Sequence, residues 1–320
     1  MGPSKQRSLF AICPSLVESP GGIQRYCVDL YRALQLSDPS LSIHFYTKLD
    51  KPISLALFPK SWGAGSVSRK FRNLCLILKI IQEAARHKPT AILVAHLNFA
   101  PVALLLKIIF GTRYAVIIYG IEAWEIKGFI RRRALLKSDR IWSISQVTMK
   151  RAIESAGLNS NKCSLLPCAV DTDRFANNPP SQQLAIKYGF SNHTKVILTV
   201  ARLSADERYK GHDSVIRALP ALRKEIPEIR YLVVGDGTDR ARAELLAKQL
   251  NVADIVIFAG FIPDDQLIEY YNLCDVFALP GNGEGFGIAF LEALSCGKPC
   301  IGGADDGSRD PLQDGELGIL

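Results

Sequence analysis

The segment Pro280-Gly-Asn-Gly-Glu284-Gly-Phe-Gly287-Ile-Ala-Phe-Leu-Glu292-Ala-Leu294 combines a glycine-rich turn with two glutamates. It follows an apolar run at residues 276–279 and leads into a helix pattern. Free backbone N–H groups and the positive end of the helix are therefore predicted to form an anion site at the edge of a sheet. Eight residues correspond to about 2.2 helical turns. If the helix starts early, both carboxylates lie roughly on one side, where one can reach a sugar and the other a ribose.

Short apolar runs alternate with amphipathic helix patterns almost from end to end, which indicates parallel sheets covered by helices on both faces. The predicted strands are residues 9–13, 43–46, 91–94, 115–119, 141–143 and 164–166, followed by 196–200, 231–234, 255–258, 276–279 and 300–301. A polar, proline-containing stretch at residues 171–191 separates the two series. The sequence therefore predicts an α/β protein of two Rossmann-like, doubly wound domains, residues 1–178 and 179–320, facing a ligand cleft.

The composition is that of a globular protein, with 48% hydrophobic and 22% charged residues, and it excludes disordered and fibrous classes. The best candidate for a membrane span, residues 99–110, has about half of the roughly 20 residues that a bilayer needs, and predicts a buried helix. The N-terminus enters a strand pattern without a signal-peptide core. Eight cysteines without paired or zinc spacing complete the expectation of a reduced, cytoplasmic protein.

The net charge of +8 admits three partners: nucleic acid, an anionic membrane surface or an anionic small ligand. Much of the excess lies on one predicted helix beside apolar side chains, at Lys127, Arg131, Arg132, Arg133 and Lys137. This helix is either a solvated face or a site of peripheral docking on anionic lipid head groups at the inner face of a membrane. The motifs themselves favour an anionic small ligand, and no nucleic-acid partner is expected.

The segment from residue 280 to 294 resembles the retaining nucleotide-sugar glycosyltransferases of the GT-B fold, specifically glycosyltransferase family 4, the "group 1" enzymes. Glu284 and Glu292 match the E-x7-E motif of this family. The resemblance covers nearly every strand and loop from residue 196 to 320 and matches the first half more loosely. It implies that Glu292 holds the ribose of the donor and that Glu284 holds the sugar. It further implies that the backbone amides of Phe286, Gly287 and Ile288 assist Glu284.

A second motif places two cations after a predicted strand, in Val200-Ala-Arg202-Leu-Ser-Ala-Asp-Glu-Arg208-Tyr-Lys210-Gly211. An arginine fork and a lysine point charge can bracket a diphosphate. The resemblance assigns these roles to Arg202 and Lys210, which would neutralise the leaving nucleotide without a metal ion or other cofactor. Gly22 follows the first strand without the full dinucleotide-binding spacing. The resemblance assigns its backbone to the donor phosphate.

Further assignments rest on weaker similarity. On the donor side, Gly235 matches a turn at the end of a strand, and Phe261 and Ile262 match the segment that borders the nucleotide base. In the first domain, His96 and the sequence Tyr119-Gly120-Ile-Glu122 follow predicted strands, and His96, Tyr119 and Glu122 are assigned to the acceptor side. Many relatives have His-Gly where this chain has Tyr119-Gly120.

The resemblance implies transfer of a sugar from a nucleoside diphosphate sugar to an acceptor hydroxyl with retention of configuration. The expected setting is synthesis of a cell-surface polysaccharide or glycoconjugate. Two alternatives remain open: a sugar-nucleotide epimerase of the same fold, and a non-catalytic nucleotide-sugar-binding protein. The chain ends at Gly318-Ile319-Leu320 in a strand-like pattern, where family members continue to a closing helix. The sequence therefore predicts an incomplete C-terminal domain.

Overall fold

The computed structural model describes residues 7–18, 21–58 and 60–320 and divides the chain into two compact units between Pro167 and Cys168. This division precedes the predicted boundary at 178/179. Phe175, which lies between these two positions, packs its fully buried ring 5.8 Å from the ring of Tyr271 in the second unit. Residues 1–6, which entered the expectation about a signal peptide, lie outside the described residues.

The first unit is built on a seven-stranded parallel sheet of order β3-β2-β1-β4-β5-β6-β7. Its strands are β1 (Ser8–Cys13), β2 (Ser42–Thr47), β3 (Ser61–Gly63), β4 (Ala91–Val94), β5 (Arg113–Ile118), β6 (Arg140–Ser143) and β7 (Cys163–Leu165). Its helices are α1 (Gly22–Ser37), α2 (Arg72–His87), α3 (Ala100–Phe110), α4 (Ile121–Trp124), α5 (Phe129–Leu136) and α6 (Gln146–Ala156). Six strands were predicted, whereas the short edge strand β3 was missed.

The α3 helix is buried on one face only, which corrects the prediction of a buried helix at residues 99–110. Val102 and Leu106 join the core against the sheet, while Ile108 and Ile109 are exposed. The helix ends at Gly111, which adopts the left-handed conformation (φ 69°) typical of a helix C-terminus. As an outer layer over the sheet, α3 has only one side to bury.

The second unit contains a five-stranded parallel sheet of order β10-β9-β8-β11-β12. Its strands are β8 (Lys195–Val200), β9 (Ile229–Val234), β10 (Val256–Gly260), β11 (Val276–Ala278) and β12 (Cys300–Ile301). Its helices are α7 (Gln182–Tyr188), α8 (His212–Glu225), α9 (Arg240–Gln249), α10 (Leu267–Leu273) and α11 (Ile288–Ser295). All five predicted strands are confirmed. The strand-like pattern at the chain end forms one isolated bridge, between Ile301 and Ile319.

Two further expectations concern membranes and cysteines. Among the helices of the described residues, none has the length and apolar character needed to span a bilayer. All eight cysteines lie within the described residues and are unpaired, and most of them are buried.

Candidate functional site

Three loops meet at the carboxyl edge of the second sheet. They follow β8, β11 and β12 and comprise residues 201–211, 280–287 and 302–307. The Asn282 amide donates to the Tyr209 carbonyl at 2.9 Å, and the Gly307 amide donates to the Glu284 carbonyl at 2.7 Å. Backbone hydrogen bonds therefore tie the loops to one another.

Glycine is required where these loops touch. A Cβ atom on Gly211, which has φ +85°, would lie 2.2 Å from the Pro280 carbonyl oxygen. A Cβ on Gly303 would lie 2.0 Å from the carbonyl oxygen of Gly281. Both distances are far below van der Waals contact, so the loops approach more closely than any other residue type allows.

Glu284 and Lys210 form an ion pair in the middle of these loops. Their Oε2 and Nζ atoms are 2.8 Å apart, and each side chain is only 16% exposed. Burial alone lowers the pKa of Lys210, but the Glu284 carboxylate outweighs it, so this pKa lies above its ordinary value. The Glu284 amide in turn donates to the carboxylate of the fully buried Asp306 at 2.7 Å. The structure thus brings together two residues that the sequence placed 74 positions apart.

The N-terminus of α11 presents free backbone donors beside Glu284. Within the described chain, the amides of Phe286, Gly287 and Ile288 donate to no other group. Gly287 has φ +87°, and a Cβ atom there would lie 2.5 Å from the Phe290 ring and 3.3 Å from the Glu284 Cγ atom. Three open amides at a helix N-terminus can bind an anion or sugar oxygens.

Glu292 lies inside α11 and is 5% exposed. Because the helix begins at Ile288, after Glu284, only Glu292 lies inside it, about one turn from its start. Its Oε2 atom accepts a hydrogen bond from the Tyr271 hydroxyl at 2.6 Å. Burial, followed by the Glu292 charge, raises the pKa of Tyr271 well above its ordinary value, so Tyr271 remains a donor. Sequence reasoning missed Tyr271, which lies in an apolar helix without a motif.

Arg202 is largely exposed and forms an ion pair with Glu207, which sequence reasoning also missed. A phosphate group would share this guanidinium with Glu207 or displace it. The loop that carries Arg202 is held by Gly235, which has φ +128°. A Cβ atom there would lie 1.9 Å from the Ala201 carbonyl oxygen.

The two residues assigned to the nucleotide base differ in exposure. Phe261 follows β10 and is exposed, whereas Ile262 packs against the core of the second unit. The Gly235 amide donates to the Gly260 carbonyl at 2.8 Å, which fixes the end of β10 beside the turn after β9. The structure therefore offers the ring of Phe261, not the Ile262 side chain, as an open apolar surface.

A charged network supports the loop that contains Lys210. The carboxylate of Asp239 binds Arg208 at 2.7 Å and Arg242 at 2.5 Å, and Arg242 also binds Asp213 at 2.7 Å. His212, Asp213 and Asp239 place three potential metal-ligand atoms within 4.8 Å of one another. Because Arg242 already binds both carboxylates, its guanidinium supplies the positive charge that a metal ion would bring.

In the first unit, His96 lies just after β4, and Gly22 lies at the start of the helix that follows β1. Gly22 is the first residue of α1 and is exposed. The Nδ1 atom of His96 accepts from the Asn98 amide at 3.1 Å. Burial, partly offset by Glu122, lowers the pKa of His96, so its imidazole is neutral at neutral pH.

Tyr119 and Glu122 have structural contacts in the first unit. The Tyr119 side chain is buried, with its hydroxyl 3.6 Å from the Cys27 sulfur and its ring 5.5 Å from that of Tyr26. The Glu122 carboxylate accepts from the Tyr119 amide at 2.7 Å. The Tyr119 side chain therefore lies in the core, and the assignment of this residue to the acceptor side stays a prediction.

Comparison with known proteins agrees with this architecture. The chain matches the family model of Glycosyltransferase Family 4 over residues 20–174 and that of Glycosyl transferases group 1 over residues 181–320. Among solved structures, Anabaena HepE in complex with UDP and glucose superposes with a TM-score of 0.76 at 18% identity, over 94% of this chain and 82% of that one. WaaG, a glycosyltransferase involved in lipopolysaccharide biosynthesis, superposes with a TM-score of 0.68 at 19% identity, over 93% and 82%.

Curated relatives are more similar in sequence. A GDP-mannose-dependent alpha-(1-6)-phosphatidylinositol monomannoside mannosyltransferase of Mycolicibacterium smegmatis is 35% identical over 59% of this chain and 50% of the relative. A D-inositol 3-phosphate glycosyltransferase of Acidothermus cellulolyticus is 29% identical over 57% and 42%. The chain spans about half the length of the curated relatives it matches. With two parallel-sheet units, both family models and these structural neighbours, the chain belongs to glycosyltransferase family 4, the group 1 enzymes of the GT-B fold.

Proposed function

We propose that the protein transfers a hexose from a nucleoside diphosphate sugar to an acceptor hydroxyl with retention of anomeric configuration. The observation that carries the proposal is the largely buried pair of Lys210 and Glu284, 2.8 Å apart beside the open amides of α11. A cation and a carboxylate at this spacing suit a donor that joins an anionic diphosphate to a neutral, hydroxyl-rich sugar.

In this mechanism Lys210, assisted by Arg202, neutralises the charge that develops on the departing diphosphate. A cation already held in a largely buried site needs little reorganisation, so it stabilises that charge efficiently. Glu284 and the amides at the start of α11 bind the sugar, and Glu292, oriented by Tyr271, binds the ribose hydroxyls. Lys210 and Arg202 neutralise the negative charge that a metal ion would otherwise neutralise, so the proposal requires no metal ion.

For the donor, GDP-mannose is the first candidate, because the name of the Mycolicibacterium relative specifies it. The HepE structure contains UDP and glucose, so uridine donors form the second group to compare. Both donors place a nucleoside next to a diphosphate and a hexose. The choice between them lies with the groups around the base, where Phe261 is the exposed ring.

Calorimetric titration of GDP-, UDP-, ADP- and dTDP-sugars is expected to show binding of one nucleotide series. Glu292→Ala should weaken this binding about tenfold or more, because a carboxylate that accepts from ribose hydroxyls makes charge-assisted bonds. Glu154→Ala, a change at an exposed position of α6, is the matched control and should bind like the wild type. Binding that is equal in wild type and Glu292→Ala would refute the ribose assignment, and no binding of any donor would favour a non-catalytic protein.

We also propose that the first unit contacts an anionic membrane through α3 and α5. The exposed face of α3 presents Ile108 and Ile109, and that of α5 presents Phe129 and Ile130. The Lys107 ammonium group on α3 donates to a carbonyl just after α5 at 3.1 Å, so the two helices are neighbours. Exposed apolar side chains next to the arginines of α5 fit a surface that pairs lipid tails with anionic head groups.

Co-sedimentation with vesicles that contain anionic lipid is expected for the wild type, and not with neutral vesicles. Arg131→Gln combined with Arg133→Gln should weaken binding roughly tenfold or more, because each basic residue near such a surface contributes about 1 kcal/mol. Ile108→Glu should also reduce it. Leu245→Glu, which alters an exposed leucine of the second unit, is the control. Binding that ignores lipid charge would leave the basic helix as a solvated face.

A further inference from the structure

A pocket of about 560 Å³ lies in the first unit, between α2 and the β1–β3 edge of the sheet. Its floor is formed by Ser42, His44 and Tyr46, which alternate along β2 and therefore share one face. None of the residues assigned to the donor or to the acceptor lines it. The pocket is therefore a feature distinct from those assignments.

The floor of this pocket is polar where a packed sheet face is ordinarily apolar. Phe10 and Ile12 on β1 belong to the hydrophobic core of this unit, yet Ser8 on the same strand and Ser42 beside it are buried hydroxyls that line the pocket. Polar groups lose free energy when an occupant displaces water from them without offering hydrogen bonds of its own. Two serines and a histidine at the amino end of these strands therefore suit a hydrophilic occupant better than an apolar one.

The strand side of the pocket supplies a fixed cation. The Nζ atom of Lys60 donates to the Ser42 hydroxyl at 2.7 Å, and this hydroxyl is 3.1 Å from the Nε2 atom of His44. Lys60 adopts φ 61°, a left-handed conformation that is uncommon for lysine. Lys60 lies just before β3, and in this conformation its ammonium group lies above the pocket floor.

The helix side of the pocket adds further charged groups. Glu83 on α2 is bound by Lys79 at 2.9 Å and by His87 at 3.1 Å, so its negative charge is already matched. The imidazole rings of His44 and His87 are 5.0 Å apart across the pocket. Two ammonium groups and two imidazoles thus face one carboxylate, and an added anion is favoured over an added cation.

We propose that this pocket binds a small hydrophilic anion, a sugar-sized molecule that carries a carboxylate or phosphate group. The anionic group of the ligand lies between Lys60 and the two imidazoles. The hydroxyl groups of the ligand contact the serines of the floor and the indole ring of Trp62, which also lines the pocket. The volume is within the range of small-molecule sites. This site shares no lining residue with the proposed donor site.

Binding at this site is expected to strengthen as the pH falls. Burial first, and then the charges of His87 and Lys60, lower the pKa of His44 below its ordinary value. The charged groups that face it are Lys60 from the strand side and Lys79, Glu83 and His87 from α2. A bound anion favours the protonated imidazole, so binding takes up a proton. The charge of a carboxylate ligand is constant near neutrality. Its affinity for the pocket should therefore rise as the pH falls and His44 takes up a proton.

The test is histidine-selective NMR of the full chain, titrated with glucuronate, glucose 6-phosphate and, as the uncharged match, glucose. Glucuronate and glucose 6-phosphate are expected to shift the imidazole signals of His44 and His87, which His44→Gln and His87→Gln assign. Lys60→Gln should weaken glucuronate binding about tenfold, the effect of losing one charge-assisted hydrogen bond. Lys150→Gln, at an exposed position of α6, should leave it unchanged.

Adding nucleotide distinguishes binding at this pocket from binding at the donor site. Saturating GDP or UDP should leave glucuronate binding unchanged, and the shifts should persist in Lys210→Met. The proposal is overturned if neither anion moves the His44 and His87 signals, if glucose binds as tightly as glucuronate, or if Lys60→Gln binds like the wild type. It is likewise overturned if nucleotide displaces glucuronate, since the anion would then occupy the donor site.

Discussion

Replacement of Glu284 by glutamine is expected to lower kcat by roughly 10²- to 10³-fold, the loss typical when one preorganised electrostatic group is removed from an active site. Glutamine keeps the shape of the side chain and removes its charge. The sugar then loses a charged acceptor for its hydroxyls, and Lys210 loses the carboxylate 2.8 Å from its ammonium group. Nucleotide affinity should change only a few-fold, because the proposed ribose contact is made by Glu292.

The measurement compares donor hydrolysis and transfer with calorimetric nucleotide binding in the same preparations. Glu244→Gln, which alters a partly exposed glutamate paired with Arg240 on α9, is the matched control and should retain the kcat of the wild type. A Glu284→Gln enzyme with unchanged turnover would show that this carboxylate does not act on the sugar. A large loss of nucleotide affinity without loss of kcat would instead place Glu284 on the nucleotide.

Asp239→Ala is expected to lower the free energy of unfolding by about 3 kcal/mol, within the range seen when one member of a buried ion pair is removed. Asp239 is 1% exposed and binds the guanidinium groups of Arg208 and Arg242. Without it, Arg242 keeps Asp213, but Arg208 loses its carboxylate partner two residues before Lys210. We therefore expect a weaker hold on the Lys210 loop as well as lower stability.

Denaturant unfolding followed by circular dichroism measures this loss. Asp254→Ala is the control, because the Asp254 carboxylate accepts two hydrogen bonds from Arg223, at 2.9 and 2.6 Å, on the surface. Exposed pairs of this kind contribute about 1 kcal/mol or less. If both variants lose the same amount of stability, burial of Asp239 does not strengthen its contacts. The inference that this network supports the Lys210 loop would then be wrong.

The difference in stability between the wild type and Asp239→Ala should depend on pH in the acid range. Hydrogen bonds from Arg242, with a further contribution from Arg208, lower the pKa of Asp239 from 3.8 to about 2. A carboxyl group with a lowered folded pKa stabilises the protein above its ordinary pKa, and this contribution, about 2 kcal/mol, is lost as the pH falls toward 2. The stability gap between wild type and Asp239→Ala should therefore narrow over that interval.

Much of the fold is predictable because strands buried on both faces form unbroken apolar runs. Each apolar run that was predicted as a strand forms a strand in the structure. The missed strand, β3, has the sequence Ser-Trp-Gly and lies at the sheet edge, where no apolar run is required. Phe175 lies in a polar stretch, and only the packed structure shows that its ring belongs to the second core.

The site was partly predictable for a similar reason. Lys210 and Glu284 follow β8 and β11, which are neighbours in the sheet, so a motif after each strand leads to the same edge. Tyr271, Asp306 and Asp239 could not be predicted in this way. Each acts on a residue that is distant in sequence, through a contact that only folding creates, and none belongs to a periodic pattern or motif.

The glycine contacts between the loops have a consequence for how such a site is mapped. An alanine scan removes side chains one at a time and passes over glycine, where nothing remains to be truncated. Yet at Gly211, Gly281, Gly303 and Gly307 a single added methyl group would collide with a neighbouring backbone oxygen. The smallest substitution in the amino-acid alphabet would then disturb the geometry more than the loss of many larger groups. The framework of this site is thus made of main chain, and a catalogue of its side chains describes only the groups attached to it.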